Sequence, residues 1–145
     1  MSVPRMPEGF TAITPYPTVP GADRLLAFAK EVFDAEEIMV MRKPDGTIAH
    51  GCLRIGNAML EFAEGCDEWG PMPAALHVYV EDVDATYKLA LSAGAASLRA
   101  PEDMFYGERS AAVRDACGNN WYLARQTEVL SMEEINNRAA AAMQG

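Results

Sequence analysis

The stretch Ala75-Leu-His-Val-Tyr-Val-Glu-Asp-Val-Asp-Ala85 decides the fold. Leu76, Val78 and Val80 alternate with Ala75, His77 and Tyr79, the period of two that gives a strand two different faces. Asp82 then stands where a helix N-cap belongs. The segment behind it carries Val83, Tyr87 and Ala90 or Leu91 as its inward residues and closes at Gly94. A strand running into a capped helix is the first half of a sheet-and-helix unit.

The same plan occurs earlier, where Thr14-Pro-Tyr-Pro-Thr-Val19 leads to Gly21-Ala-Asp-Arg-Leu-Leu-Ala-Phe28. Working outward from the two joints, the first half reads as a strand over residues 10–19 and a helix with Leu25, Phe28, Ala29 and Val32 on one stripe. Three strands follow, over 37–42, 47–55 and 58–63. Lys43-Pro-Asp-Gly46 makes the first turn between them and Gly56-Asn57 a tight hairpin. Pro15 and Pro17 cannot donate to a ladder, so the first strand belongs at an edge. The second half repeats this order: a strand over 75–80, a helix over 82–93 and a short strand over 96–99. A loop over 100–107 carries Met104-Phe105-Tyr106, and strands over 108–114 and 120–125 flank the turn Asp115-Ala-Cys-Gly118. One offset of 61 residues pairs Val19 with Val80, Asp23 with Asp84 and Gly46 with Gly107. The matching order of elements argues more strongly for duplication than these identities do.

The expected fold is therefore α+β: two tandem βαβββ modules, residues 10–64 and 74–126, within a single domain over 1–145. Residues 127–145 form a helical tail, opened by the capping-box pattern Ser131-Met-Glu-Glu134.

Composition limits the partners. The net charge of −9 and pI near 4.6 argue against a nucleic-acid partner, which would need a basic face. No run is long and apolar enough for a membrane span. Cys52, Cys66 and Cys117 are odd in number and lack metal-motif spacing, so they read as reduced thiols of a cytoplasmic protein. No phosphate loop, nucleophile elbow or paired-cysteine motif is present.

The doubled unit resembles the vicinal oxygen chelate superfamily, which holds glyoxalase I, extradiol dioxygenases and bleomycin-resistance binding proteins. Three runs look like its PhnB-like branch: Met6-Pro-Glu-Gly-Phe10, His50-Gly-Cys-Leu-Arg-Ile-Gly56, and Pro101-Glu-Asp-Met-Phe-Tyr-Gly-Glu-Arg109 continuing through Val113-Arg-Asp-Ala-Cys-Gly118 to Trp121. The resemblance implies a cupped mixed sheet with helices on its outer face, a small-molecule ligand inside the cup and a homodimer. Metalloenzymes of that superfamily draw four ligands from the first and last strands of the two units. Matched residue by residue, those positions are Thr14, Glu61, Ala75 and Tyr122. Only Glu61 is a ligand of the usual kind, and His77 stands two residues from its nearest matching position. The expectation is no cofactor and no metal centre, with at most a weakly held divalent ion, because such sites need three or four well-placed donors.

Strand parity supplies the candidate site. Leu60, Phe62, Leu76, Val78, Val80, Trp121 and Leu123 are apolar and belong against the helices. Met59, Glu61, Ala75, His77, Tyr79, Asn120 and Tyr122 fall on the opposite, mixed face, which suits a ligand. Glu61 and His77 are the candidate catalytic groups, Glu61 as a proton-transfer carboxylate or as a partner of Arg54 or Arg109. Thr14, Tyr16, His50, Met59, Tyr79, Phe105 and Tyr122 are the candidate pocket lining. His50 has no assigned face, and the loop holding Phe105 reads either as a lid or as a hydrophobic plug. Three function readings follow. One is a metal-independent binder of a small planar or cationic molecule; another is a lyase, isomerase or dioxygenase-type enzyme using Glu61. A non-catalytic interaction module is the third reading.

Overall fold

A computed structural model describes residues 2–144. Its elements run β1 (Thr18–Val19), α1 (Ala22–Phe33), β2 (Glu36–Arg42), β3 (Ile48–Ile55), β4 (Ala58–Glu64), β5 (Ala75–Tyr79), α2 (Val83–Ser92), β6 (Ala96–Met104), β7 (Glu108–Arg114), β8 (Asn120–Gln126) and α3 (Met132–Ala142). The strands form two four-stranded mixed sheets, ordered β1-β4-β3-β2 and β5-β8-β7-β6. In each sheet the strand before the helix pairs in parallel with the last strand, and the other pairings are antiparallel. Together with the three helices this is the expected α+β architecture of tandem βαβββ modules and a C-terminal helix. Among the described residues two compact units result: 2–74 with 115–119, and 75–114 with 120–144.

In the first unit, α1 buries Leu25, Leu26, Phe28, Ala29 and Val32, the stripe its spacing requires. It covers the sheet face made by Leu53, Leu60 and Phe62, of which Leu53 and Phe62 are fully buried. Gly51 pairs with Phe62 across the ladder, and a Cβ there would lie 2.5 Å from the Phe62 ring, so the glycine makes room for the aromatic. The N-terminus of α1 has Gly21 as its cap, in a left-handed conformation with no side chain to offer. Glu64 at the end of β4 does the capping instead. Its two carboxylate oxygens accept from the N–H groups of Gly21, at 2.7 Å, and Ala22, at 3.0 Å. A carboxylate on the first free N–H groups also meets the positive end of the helix dipole.

The turn at residues 115–119 is tied into this first unit. Asp115 accepts from the N–H groups of Cys117 and Asn119 and from the Asn119 amide, and Asn119 accepts in turn from the N–H of Ala74.

The expected first strand over residues 10–19 is much shorter as ladder. Only Thr18 and Val19 form β1, although the carbonyls of Pro15 and Pro17 accept from the N–H groups of Glu61 and Ala63. The segment thus runs beside β4, while its prolines can receive hydrogen bonds and not return them.

The second unit is less deeply packed around its helix. Val83 and Ala90 of α2 are buried, whereas Tyr87 reaches out to donate to the Ser97 hydroxyl and Leu91 is exposed. Asp82 caps α2 by accepting from the N–H of Ala85 at 3.0 Å. β6 extends to Met104, so residues 100–104 are strand and not loop. Pro101 sits at an irregularity of register between Arg99 and Glu102 on this edge strand, where no ladder donor is required of it. In α3, Ser131 caps the N–H of Glu134, but the Glu134 carboxylate turns to Arg138 and leaves the capping box half made. No helix among the described residues is long and apolar enough to cross a membrane.

Candidate functional site

Register assigns the paired strand residues of the first unit to a face. Cys52 pairs with Glu61 and Arg54 with Met59 across β3 and β4, while Met39 pairs with Cys52 and Met41 with His50 across β2 and β3. These side chains lie on the face opposite α1. His50, whose face the sequence left open, is among them.

Its surroundings form the most organised polar group on this face. The Tyr16 hydroxyl lies 2.8 Å from His50 Nδ1, and the two rings are tilted with centroids 5.2 Å apart. On the other side of the imidazole, Nε2 lies 3.3 Å from Glu61 Oε1. A carboxylate beside Nε2 favours the tautomer with the hydrogen on that nitrogen, which leaves Nδ1 to accept from the Tyr16 O–H. The three groups form one chain, Glu61–His50–Tyr16. Tyr16 is its more open end, at 48% exposure; the His50 and Glu61 side chains are 23% and 27% exposed. Burial, with a contribution from the Glu61 charge, holds the Tyr16 phenol above its ordinary pKa.

The rest of the face is soft and apolar. Met39 and Met41 are partly exposed on β2 beside the chain. The Cys52 thiol is buried, which raises its pKa, and the Glu61 charge raises it further. Met59, expected to line the pocket, is buried, and a Cβ on Gly9 would lie 3.0 Å from its terminal methyl, so the N-terminal arm lies against it. Thr14 is half-buried on the segment beside β4. Neither cation named as a structural partner for Glu61 takes that role. Arg54 pairs with Glu36, and Arg109 pairs with Asp84 and Asp103.

The second unit also has an open face. Arg99, Ala112, Tyr122 and His77 are consecutive cross-strand partners from β6 to β5. The exposed His77 ring packs edge-on to Tyr79 with centroids 4.9 Å apart, and the Tyr79 hydroxyl donates to Glu108 at 2.6 Å. That hydrogen bond to a carboxylate raises the Tyr79 pKa. Arg99 donates to the Ser110 hydroxyl at 2.6 Å, while its buried Nε has no hydrogen-bond partner among the described residues. Sequence reasoning passed over Arg99 and Glu108, whose strands offered no alternation of polar and apolar residues to mark a face.

Phe105 belongs to a pinned loop. The Gly107 carbonyl accepts from the N–H groups of Thr127 and Glu128, and Arg138 of α3 donates to the Phe105 carbonyl at 3.3 Å. Phe105 itself packs edge-on to Tyr106.

The donor chemistry does not fit the metal centre that the superfamily's metalloenzymes would imply. Of the four matched positions, Ala75 has no donor, Thr14 and Tyr122 offer only hydroxyls, and Glu61 is engaged by His50. No group of three or more His, Cys, Asp or Glu among the described residues is placed to hold an ion.

Comparison with known proteins agrees with this architecture. Residues 17–123 match the model of the Glyoxalase/Bleomycin resistance protein/Dioxygenase superfamily. An uncharacterized protein of Mycobacterium bovis is 32% identical over 145 residues, spanning 92% of this chain and 94% of the relative. An uncharacterized protein of Mycobacterium tuberculosis H37Rv has the same identity, over 92% of this chain and 84% of its own length. Among solved structures, TioX from Micromonospora sp. ML1 superposes with a TM-score of 0.64 at 23% identity, covering 83% of this chain and 100% of that one. The PhnB protein from Bacillus cereus gives 0.62 at 17% identity, over 79% and 99%. The fosfomycin resistance protein FosX from Mesorhizobium loti gives 0.60 at 19%, over 93% and 99%. At these identities the structural likeness speaks for the fold alone, whereas the family match and the mycobacterial relatives span most of the chain. The chain belongs to the glyoxalase/bleomycin resistance protein/dioxygenase superfamily.

Proposed function

We propose that this chain binds a small organic molecule on the open face of the first sheet, without a metal, in the manner of the superfamily's binding proteins. The Tyr16–His50–Glu61 chain carries this reading, because it sets an ordered polar group beside the soft apolar surface of Met39 and Met41. A ligand suited to this face has a hydrogen-bonding head for the Tyr16 hydroxyl and a flat apolar body for the methionines, whose flexible thioethers adapt to shape. The net charge of −9 favours neutral or cationic molecules over anions in the approach. Within the superfamily we place the chain in the PhnB-like branch, on its runs at residues 6–10, 50–56 and 101–121. We place it in the cytoplasm, since its three cysteines are free thiols.

The test is a thermal-shift screen of planar neutral, phenolic and amine compounds, with hits mapped by heteronuclear NMR. A ligand at a hundred times its dissociation constant stabilises by about 2.7 kcal/mol, which a melting curve resolves. Hits are expected to perturb Tyr16, His50, Met39 and Met41, and to lose affinity at least tenfold in Glu61→Gln. Hits that map elsewhere, or that bind Glu61→Gln unchanged, refute the assignment.

A further inference from the structure

At the first sheet a carboxylate, an imidazole and a phenol stand next to one another. The Glu61 carboxylate 3.3 Å from Nε2 favours the tautomer of His50 with its hydrogen on that nitrogen, and Nδ1 is then free to accept from the Tyr16 hydroxyl 2.8 Å away. A lone carboxylate on a sheet would accept a proton itself. Here the carboxylate is one imidazole removed from the open end, and the phenol is what a ligand meets. Glu61 therefore acts through His50, and His50 through Tyr16.

We propose that Glu61, His50 and Tyr16 form a proton relay in which Tyr16 Oη is the general base toward a weakly acidic O–H or C–H of a bound ligand, such as a phenol or an enolisable carbonyl compound. The step balances without a co-reactant. The ligand's O–H or C–H bond breaks as a new O–H forms on Tyr16 Oη, and the original Tyr16 O–H breaks as Nδ1–H forms on His50. The electron pair stays on the ligand as an oxyanion or enolate, and the positive charge rests on the His50 imidazolium facing Glu61. Returning the proton to another atom of an enolate would complete an isomerisation with no net redox change. Because the phenol is held above its ordinary pKa by burial and by the Glu61 charge, it remains neutral at rest and gives up its own proton only as it takes another. Cys52, across the strand from Glu61, takes no part, since burial keeps its thiol protonated. This inference rests on the ligand-binding reading for its substrate but not for the relay itself.

The relay is read directly by nitrogen NMR on the full chain labelled at histidine, which has only His50 and His77 to resolve. The signals of the neutral His50 ring should show a protonated Nε2 and a hydrogen-bonded, unprotonated Nδ1. Tyr16→Phe should move Nδ1 toward the value of an unbonded ring nitrogen while leaving His77 unchanged. The opposite tautomer, or an Nδ1 indifferent to Tyr16→Phe, overturns the relay. Base strength is then read with 4-nitrophenol, whose visible absorbance reports its protonation. With protein present the phenolate fraction should exceed that in buffer of the same pH, and His50→Gln or Glu61→Gln should lower the excess at least tenfold. Should the probe perturb the Tyr16 and His50 resonances without extra phenolate, the base role fails and the binding role stands. Should no screened compound, this probe included, perturb that face, the ligand-binding reading fails, and with it the base role, whatever tautomer His50 shows.

Discussion

At the scale of single residues, environment separates groups that share a chemistry. Cys52 and Cys117 are buried and their thiols are raised in pKa first by that burial, whereas Cys66 is exposed. The thiolate is the reactive form, so iodoacetamide at neutral pH should label Cys66 first, with Cys52 and Cys117 reacting only on unfolding. Peptide mass spectrometry decides this, and early labelling of Cys52 would contradict the burial argument. Tyr16 gives a second expectation. Its folded pKa is raised, so the folded state favours the neutral phenol, and the associated stability is complete below the unfolded value of about 10. That contribution disappears as pH rises through the folded pKa. Urea midpoints measured at increasing alkaline pH should fall less steeply in Tyr16→Phe than in the parent. Tyr79 carries a further share of the same kind through its bond to Glu108.

At the scale of elements, α1 depends on a carboxylate from another strand. The Glu64 bonds to the N–H groups of Gly21 and Ala22 are charge-assisted, and hydrogen bonds of that class contribute roughly 1.5–3 kcal/mol. Glu64→Ala should therefore lower unfolding free energy by about that amount, and Glu64→Gln by less, in chemical denaturation. An unchanged midpoint in Glu64→Ala would show that water replaces the clamp at no cost. The loop over residues 105–107 carries the opposite lesson. It holds aromatic side chains of the kind a lid uses, yet its backbone is tied to Thr127, Glu128 and Arg138. Gly107 itself has φ +85°, and a Cβ there would lie 3.0 Å from the Glu128 carbonyl oxygen, so the position is closed to other residues twice over.

For the whole molecule, the exposed Leu89, Leu91 and Leu98 of the second unit and the open β2 edge leave apolar surface on a chain of this size. We propose a homodimer, and sedimentation at micromolar concentration should give twice the 15.8 kDa chain mass. A purely monomeric boundary would refute it.

The sequence by itself determined the order of elements, the doubling of the unit and the apolar faces. Period-two alternation at residues 75–80 and helical spacing at residues 25–32 are local properties that need no partner strand to be read. It also supplied Tyr16, His50 and Glu61 as separate candidates. Their union was not legible, because β3 offers Gly51 and Cys52 where a parity argument needs clear polar and apolar alternation. Only the ladder pairing Cys52 with Glu61 and Met41 with His50 assigns the imidazole to the open face. The capping of α1 by Glu64 and the pinning of Gly107 by the tail were hidden for the same reason. Each joins groups distant along the chain, and such a pairing exists only once the sheet has set its register.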